Sequence, residues 1–594
     1  MTNTLTRREL IQKTLAGFGA VSLPLSLTAC GDDSDDTSDS GVSVQFAHGV
    51  ASGDPLQDRV IIWTRATPSD LQARLEIVWE VAADQEFTQM VATGKVQTSP
   101  AQDYTVKVDV TALLPQQRYF YRFRFGQSIS PIGQMKTLAV QAAQVKFAVC
   151  SCSNYPAGYF YVYREMAKQD VDVVLHLGDY IYEYGKDGYA TEDAEKLGRL
   201  LADDNNQEII GLDDYRKRYA LYRQDLDLQA LHQRHPFIVI WDDHELANDT
   251  WRDGAENHTE ATVQAQNEGK FSDRKLAALQ AYFEWMPIRP VSEDDHLHIY
   301  RQFDFGSLVQ LTMLDTRIIA RDQQLDYANY MTTQGLNTVQ FQQDLLAQDR
   351  TLLGYEQRDW LLQKLMSSGA TWNVLGQQVL MSKMFIPAEL LLSLAEISSG
   401  TVTAETLAKM NTQITELVQI KLRLQAGDPT LTDLEKARVN TVAPYNLDTW
   451  DGYFYEREVL YATLKSLNKK VVVLAGDTHN AWYSELLSKD QDMLGVELAT
   501  SSVSSPGLEK YLSIPLEQLQ QFEYAFQTLI NDLAYCNLNQ RGYLLVDFTE
   551  QNMQSNWVFV DSIKEQSYAV DESRGYQLIF NSQLQLLEDL PQSA

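Results

Sequence analysis

Apolar and polar positions alternate along the first part of the chain, and the rhythm changes near residue 145. From Val42 to about Thr137 the runs RVIIWTRA, ARLEIVWEVA, YTVKVDVTAL and RYFYRFRF place apolar residues at every second position. Turn residues separate them at regular intervals, which predicts an all-β sandwich of roughly a hundred residues. From about Val145 short, nearly continuous apolar runs take over: VKFAVCSCSN, VDVVLHL, FIVIW, LVQLTMLDTR, TWNVLGQQVLM and VVVLA. Runs of that length bounded by turn signals predict strands buried on both faces. Segments at helical spacing lie between them, including GYFYVYREMAKQ, the charged stretch from Asp214 to Leu231, and FSDRKLAALQAYFEWM. Alternating strands and helices predict a layered α/β body. VELATS and GYLLVDFT add strands, and NWVFVD closes the set.

Between Pro387 and Asn440 the pattern turns helical, with AELLLSLAEI and TAETLAKMNTQITELVQIKLRLQ. This predicts an α-hairpin packed on the body, placed where it can contribute to a site wall. The expected organisation is a signal over 1–30, a linker over 31–41, an N-terminal β-sandwich over 42–138 and a catalytic domain over 139–594. That last domain carries the helical insertion 387–440.

The 594 residues are enough for a large core and a satellite domain, and 44% hydrophobic content excludes wholesale disorder. A net charge of −31 argues against nucleic acid or an anionic membrane as a general partner. The first thirty residues read as an export signal: Thr6-Arg7-Arg8-Glu9-Leu10-Ile11 resembles the twin-arginine pattern. The apolar stretch from Ala16 to Ala29 is too short and too broken by Gly and Pro to be a permanent span. Leu27-Thr28-Ala29-Cys30-Gly31 resembles a lipobox, which implies lipidation at Cys30. The tether that follows, DDSDDTSDSG, has nothing to bury.

Three clusters of ligand-type residues stand where strands run out: HLGDYIYEY after VDVVL, WDDHE after FIVI, and GDTHN after VVVLA. In open α/β sheets ligands collect at the carboxyl ends of strands. Asp-centred clusters converging on one rim make an arrangement able to hold several cations close together. Cys152 ends a fourth strand. Cys150 and Cys152 are placed on one face of that strand, and a metal ligand there is a better account than a strained bridge. Other histidines are set aside: His176 as packing, His232 and His235 at a helix-to-strand turn, His296 and His298 on an exposed strand. The tyrosine-rich runs GYFYVY and GYFYER read as core and rim.

With GVASGDP near Asp54, SCSNY, HLGDYIYEY, WDDHE followed by Asn248, LDTR, DTWDGY and GDTH, the chain resembles the calcineurin-like metallophosphoesterases, specifically the alkaline phosphatase D (PhoD-type) family. The resemblance runs from about Val42 to at least Gly507. It implies an αββα fold, a layered β-sandwich flanked by helices. Asp179 is then the carboxylate bridging two metals. Cys152, Tyr182 and His479 complete a ferric site, for which phenolate, carboxylate and thiolate are suited donors. Asp243 and Asp477 would ligate Ca²⁺, with one or two such ions and other divalent metals as alternatives. His244 stands beside the scissile phosphate, and Asn248 and Arg317 contact its oxygens, Arg317 through a bidentate fork. Asn248 could instead serve a further Ca²⁺.

The function implied is an exported phosphatase that cleaves phosphomonoesters and phosphodiesters by attack of metal-bound hydroxide, with inversion at phosphorus. A phospholipase D-like or nucleic-acid phosphodiesterase activity on the same site is the alternative. Expected partners are small phosphoester substrates, the twin-arginine translocation machinery, and the membrane only through lipid on Cys30. A periplasmic or cell-envelope location, no stable nucleic-acid complex and a monomer are also expected.

Overall fold

The computed structural model describes residues 42–260, 268–291, 297–333, 335–399 and 404–591. The signal, Cys30, the Ser/Asp tether and His296 lie outside the described residues.

Two large sheets form the body. The ten-stranded sheet has its parallel centre in Gln144–Cys150, Val173–His176 and Pro236–Val239. The seven-stranded sheet has its parallel centre in Val309–Met313, Trp372–Gly376, Val471–Ala475 and Met493–Ala499. These strands are almost wholly buried, as expected of parallel strands covered on both faces. The sheets pack face to face through aromatic side chains. Phe147 meets Phe305 at 5.1 Å and Phe548 at 5.6 Å, and Trp372 meets Phe548 at 5.6 Å. Trp557 donates its indole N–H across the layers to the Ala499 carbonyl at 2.9 Å. Such aromatic pairs contribute about 0.5–1.5 kcal/mol each beyond the area they bury.

The layered α/β body with an N-terminal all-β region agrees with expectation, and several details differ. NWVFVD does not close the strand set. Tyr576–Asn581 and Leu586–Pro591 extend the ten-stranded sheet beyond Asn552–Val560. The stretch from Asp214 to Leu231 is two helices, Leu212–Tyr222 and Leu226–Arg234, because Asp225 caps the second by accepting from the Asp227 and Leu228 N–H groups. The insertion has three helices, Ala388–Ser399, Ala404–Gln425 and Asp433–Asn440. A short antiparallel pair, Phe385–Pro387 with Val442–Pro444, closes its base. Its apolar face shares a core with Leu519–Leu529.

In the N-terminal region the two layers enclose one core built from residues such as Ile62, Ile77, Tyr121 and Phe123. One layer is continuous with the ten-stranded sheet: Val50–Gly53 pairs in parallel with Pro236–Val239. Arg289 pairs with Asp109 at 2.8 Å and Arg301 with Asp54 at 2.8 Å, locking the seam. Asp54 of the GVASGDP motif therefore serves this joint. Gly53 sits where the backbones come closest, and a Cβ there would lie 2.1 Å from the Pro287 carbonyl oxygen.

Gly53→Ala must push these segments apart, so we expect a loss of about 1–3 kcal/mol. A clearly lowered midpoint in thermal unfolding followed by circular dichroism checks this; an unchanged midpoint contradicts it.

Candidate metal centre

The parallel strands of both sheets end on one rim, and the residues just past their ends supply the site. Cys152 follows Gln144–Cys150, Asp179 follows Val173–His176, and Asp242, Asp243 and His244 follow Pro236–Val239. From the facing sheet, Arg317 follows Val309–Met313, while Asp477 and His479 follow Val471–Ala475. The sheets touch here through a parallel bridge between Ser151 and Ser502.

The local backbone is unusual. Cys152, Asp179, Asp249, Asp477 and His479 have φ of 61°, 54°, 51°, 63° and 59°. L-residues adopt this left-handed region at a cost of about 1–3 kcal/mol each, and such strain concentrates at functional sites. Gly178 turns the chain at φ 106°, and a Cβ there would lie 2.3 Å from Asp242 Cβ. Only glycine allows the loops carrying Asp179 and Asp242 to approach so closely.

Cys152, Asp179 and His479 offer donor atoms within 4.8 Å of one another. The Tyr182 hydroxyl lies 3.1 Å from Asp179 Oδ2 and 3.2 Å from His479 Nε2, and it accepts from Ser505 Oγ at 2.6 Å. His479 Nδ1 is 2.7 Å from the Pro506 carbonyl, which can only accept. Nδ1 therefore carries the proton, and Nε2 presents its lone pair to the cluster. The strand ends at Cys150, and the left-handed turn separates Cys152 from it. The two thiols do not share a face, contrary to expectation: Cys150 Sγ faces the Leu175 carbonyl at 3.8 Å instead.

Asp179 also belongs to a second group with Asp243 and His244, and Asp243 to a third with Asp242 and Asp477. Within each group the donor atoms again lie within 4.8 Å. Asp179 is thus common to two groups, as a bridging ligand must be. Asp242 Oδ2 and Asp243 Oδ1 are buried without a hydrogen-bond partner among the described residues. Two orphaned carboxylate oxygens facing an acidic cluster fit a cation as the missing partner.

Arg317 is fully buried, and its guanidinium is spent on carboxylates. Nε donates to Asp242, Nη1 to Asp448 at 2.7 Å, and Nη2 to Asp477 at 2.6 Å, with Asp243 at 3.7 Å. Its fork does not stand open, as a phosphate contact would require. Asn248 is half-exposed; its side-chain amide donates to Glu256 at 2.6 Å, and its backbone N–H to Glu183 at 2.8 Å.

Sequence reasoning overlooked the residues that hold this array. Glu245 accepts backbone N–H groups of Asp179 at 3.0 Å, Tyr180 at 2.6 Å and Asp242 at 2.8 Å, tying two ligand loops together. Glu183 accepts from His244 Nδ1 at 2.7 Å, which fixes the ring and leaves Nε2 as its second nitrogen. Gln378 links Thr316 at 2.6 Å to the Trp241 carbonyl at 2.6 Å. Asp448 binds Arg317 and Arg321. The only signal for Asp242, Glu245 and Glu183 was an excess of acids in strand-end loops, where acids are otherwise solvated.

The electrostatics follow from acids crowded in a buried place. Burial, opposed by Arg317 and reinforced by Asp448, Asp243 and Asp179, pushes the Asp477 carboxyl up to about 7. Burial likewise raises Asp242 and Asp243 against the pull of Arg317. Burial and then Asp179 push the Cys152 thiol and the Tyr182 phenol well above their usual ranges. Burial also opposes ionisation of Asp179, yet His244 and His479 outweigh it and hold that carboxyl low. Burial disfavours a charged His244, but Glu183, Asp243 and Asp179 overcome it and keep the ring protonated well above the usual range. A bound cation reverses this logic for thiol, phenol and carboxyl alike.

His176 and His232 serve packing. His176 is buried against the Tyr163 hydroxyl at 2.8 Å, and His232 against the Tyr180 hydroxyl at 2.9 Å. Asp451 of DTWDGY pairs with Arg457 and accepts the Met384 N–H at 2.9 Å, so it is structural.

Comparison with known proteins places this geometry in a family. Residues 147–557 match the family described as PhoD-like phosphatase, and residues 32–139 match the PhoD-like phosphatase N-terminal domain. Alkaline phosphatase D of Bacillus subtilis (strain 168) is 34% identical over 525 residues, covering 85% of this chain and 77% of that protein. A solved structure described as PhoD superposes with a TM-score of 0.71 at 30% identity, covering 92% of each chain. The chain therefore belongs to the PhoD-like phosphatase family and is a phosphoric ester hydrolase.

Proposed function

We propose that this protein is an exported, metal-dependent phosphatase acting on phosphomonoesters and phosphodiesters. The observation that carries the reading is Asp179, shared between two groups of donors at one rim, with His244 beside them. Cys152, Tyr182, Asp179 and His479 form a donor set suited to Fe³⁺, whose high charge favours phenolate, carboxylate and thiolate. Asp242, Asp243 and Asp477, with Asp179, form an oxygen-only set suited to Ca²⁺. Bound cations there would lower the pKa of water and neutralise charge on the phosphoryl group.

The chain's own residues do the rest. Glu183 holds His244 protonated and oriented, so Nε2 can donate to a phosphoryl oxygen or to the leaving alkoxide. Arg317 holds Asp242, Asp448 and Asp477 in one array instead of clamping phosphate. Glu245 fixes the spacing of the two loops that carry Asp179 and Asp243. Asn248 stands at the edge, where release from Glu256 would free its amide for a phosphoryl oxygen. The net charge of −31 disfavours nucleic acid as a substrate. Export and lipidation at Cys30 rest on the N-terminal sequence; no described helix is long and apolar enough to cross a membrane.

Removing the ions with a chelator should abolish ester hydrolysis, and readdition should restore it. Asp179→Ala should lower kcat/KM by at least about a thousandfold, and His244→Asn lowers kcat by about 10²–10⁴-fold. Steady-state kinetics on a simple monoester and a simple diester check both, and full turnover without ions would reject the reading.

A tyrosinate-to-iron absorption band is expected in the visible spectrum of the iron-loaded protein, and it should vanish in Tyr182→Phe. A band that survives the substitution would remove Tyr182 from the ligand set.

Because the Asp477 carboxyl lies near 7 without cations, it is protonated below that pH and must release its proton for Ca²⁺ to bind. Affinity should be nearly flat above pH 7 and weaken as pH falls below it, with proton release on binding. Calorimetry in buffers of different ionisation enthalpy reads both effects.

A further inference from the structure

One wall of the site is aromatic, and beyond Tyr182 its rings have no part in the chemistry above. It begins at the floor with Tyr182, which is buried, and continues with Tyr189 at 6.1 Å between ring centroids and 30° between planes. Tyr511 follows at 6.0 Å and 6°, a parallel stack. Tyr189 also stacks on His479 at 6.1 Å and 22°. Tyr184 joins the wall, 6.0 Å from Tyr189 and 5.3 Å from His244. The ladder therefore borders both imidazoles of the site and climbs outward from it. The residue at its end, Tyr511, is 53% exposed.

Tyr511 stacks on Tyr189 and remains an exposed residue. Its position is fixed. It ends the short helix Leu508–Tyr511, whose first N–H donates to Asn480 Oδ1 at 3.1 Å, one residue after His479. Glu509 pairs with Arg541, and Lys510 with Glu192 at 2.8 Å. Tyr189 is held in turn by its hydroxyl, which donates to the Pro506 carbonyl at 2.5 Å. A rigid aromatic face offers contact area with little entropy to lose on binding.

We propose that Tyr511, backed by Tyr189, is the platform for a planar aromatic group on the alcohol side of the ester. The substrates favoured by this site are then phosphoesters of nucleosides or of other aromatic alcohols. This deepens the proposed phosphatase function and rests on it. With the phosphoryl group at the carboxylate cluster, the remainder of the ester can lie along this wall, which borders His244 and His479. A neutral π-face accepts a base without needing positive charge, which suits a chain of net charge −31. A small mononucleotide meets less repulsion there than a polyanion.

The test compares adenosine monophosphate with ribose phosphate on the metal-loaded, full-length protein. Both esters break the same primary-alcohol bond, so the base alone separates them. The wild-type protein should favour the nucleotide in kcat/KM by roughly 5- to 100-fold, mainly through KM. In Tyr511→Leu that ratio should collapse towards one, while Tyr511→Trp should keep it. Adenosine without phosphate should compete against ribose phosphate in the wild-type protein and fail to do so in Tyr511→Leu. Three results overturn the platform: an equal rate on both esters in the wild-type protein, a ratio that Tyr511→Leu leaves intact, or selective loss of activity on phosphocholine instead of the nucleotide. Failure to hydrolyse either ester would sink the phosphatase reading itself, a different outcome from loss of the preference.

Discussion

Mutual repulsion among buried carboxylates is the constraint on which the rest of this structure depends. Asp179, Asp242, Asp243, Asp249, Asp448 and Asp477 crowd one rim, with Arg317, Arg321 and His244 as the cationic groups among them. Desolvated charges of one sign cost several kcal/mol each unless paired, so an unaided chain would open or protonate. Burial has raised Asp242, Asp243, Asp249 and Asp477, which is the protonation route. Arg317 provides partial relief by binding Asp242, Asp448 and Asp477. The two oxygens without a hydrogen bond among the described residues, on Asp242 and Asp243, mark where relief is incomplete. A multivalent ion at the proposed site would complete it and turn the same crowding into affinity.

The fold makes this crowding enforceable. Two facing sheets with parallel centres end at the same edge, so loops from distant parts of the chain cannot avoid one another. The aromatic layer of Phe147, Phe305, Phe548 and Trp372 fixes the distance between the sheets. Glu245 then converts that coarse placement into fixed loop positions, with one carboxylate capping N–H groups from both loops. Left-handed backbone at Cys152, Asp179, Asp477 and His479 is the local cost, held in place by the packing beneath.

Much of this was legible in the sequence, for identifiable reasons. Buried parallel strands such as VVVLA read as uninterrupted apolar runs, and residues that follow them must lie on the rim whatever the loops do. Cys152, Asp179, Tyr182, Asp243, His244, Asp477 and His479 could therefore be placed together by position alone. Arg317 could not. Its partners Asp448 and Asp477 lie 131 and 160 residues away, and periodicity carries no information about such pairs. Glu183 and Glu245 escaped because a glutamate in a polar loop looks solvated until its hydrogen bonds are seen. The face shared by Cys150 and Cys152 failed for a smaller reason: strand alternation was extended two residues past the end of the strand, to a residue whose backbone is left-handed.

The position of Arg317 bears on how the site divides its labour. An arginine that clamps phosphate must keep its fork empty until substrate arrives, and in this acidic pocket an empty fork would be captured by the nearest carboxylate. Here Asp242, Asp448 and Asp477 have captured it. In the proposed function, charge on a substrate's phosphoryl group would then fall to bound cations and to His244, which Glu183 orients and favours in its protonated form. Selectivity for the rest of the ester falls to whatever lines the way out. On one side that lining is a stack of tyrosines, which discriminates by shape and polarizability, not by charge.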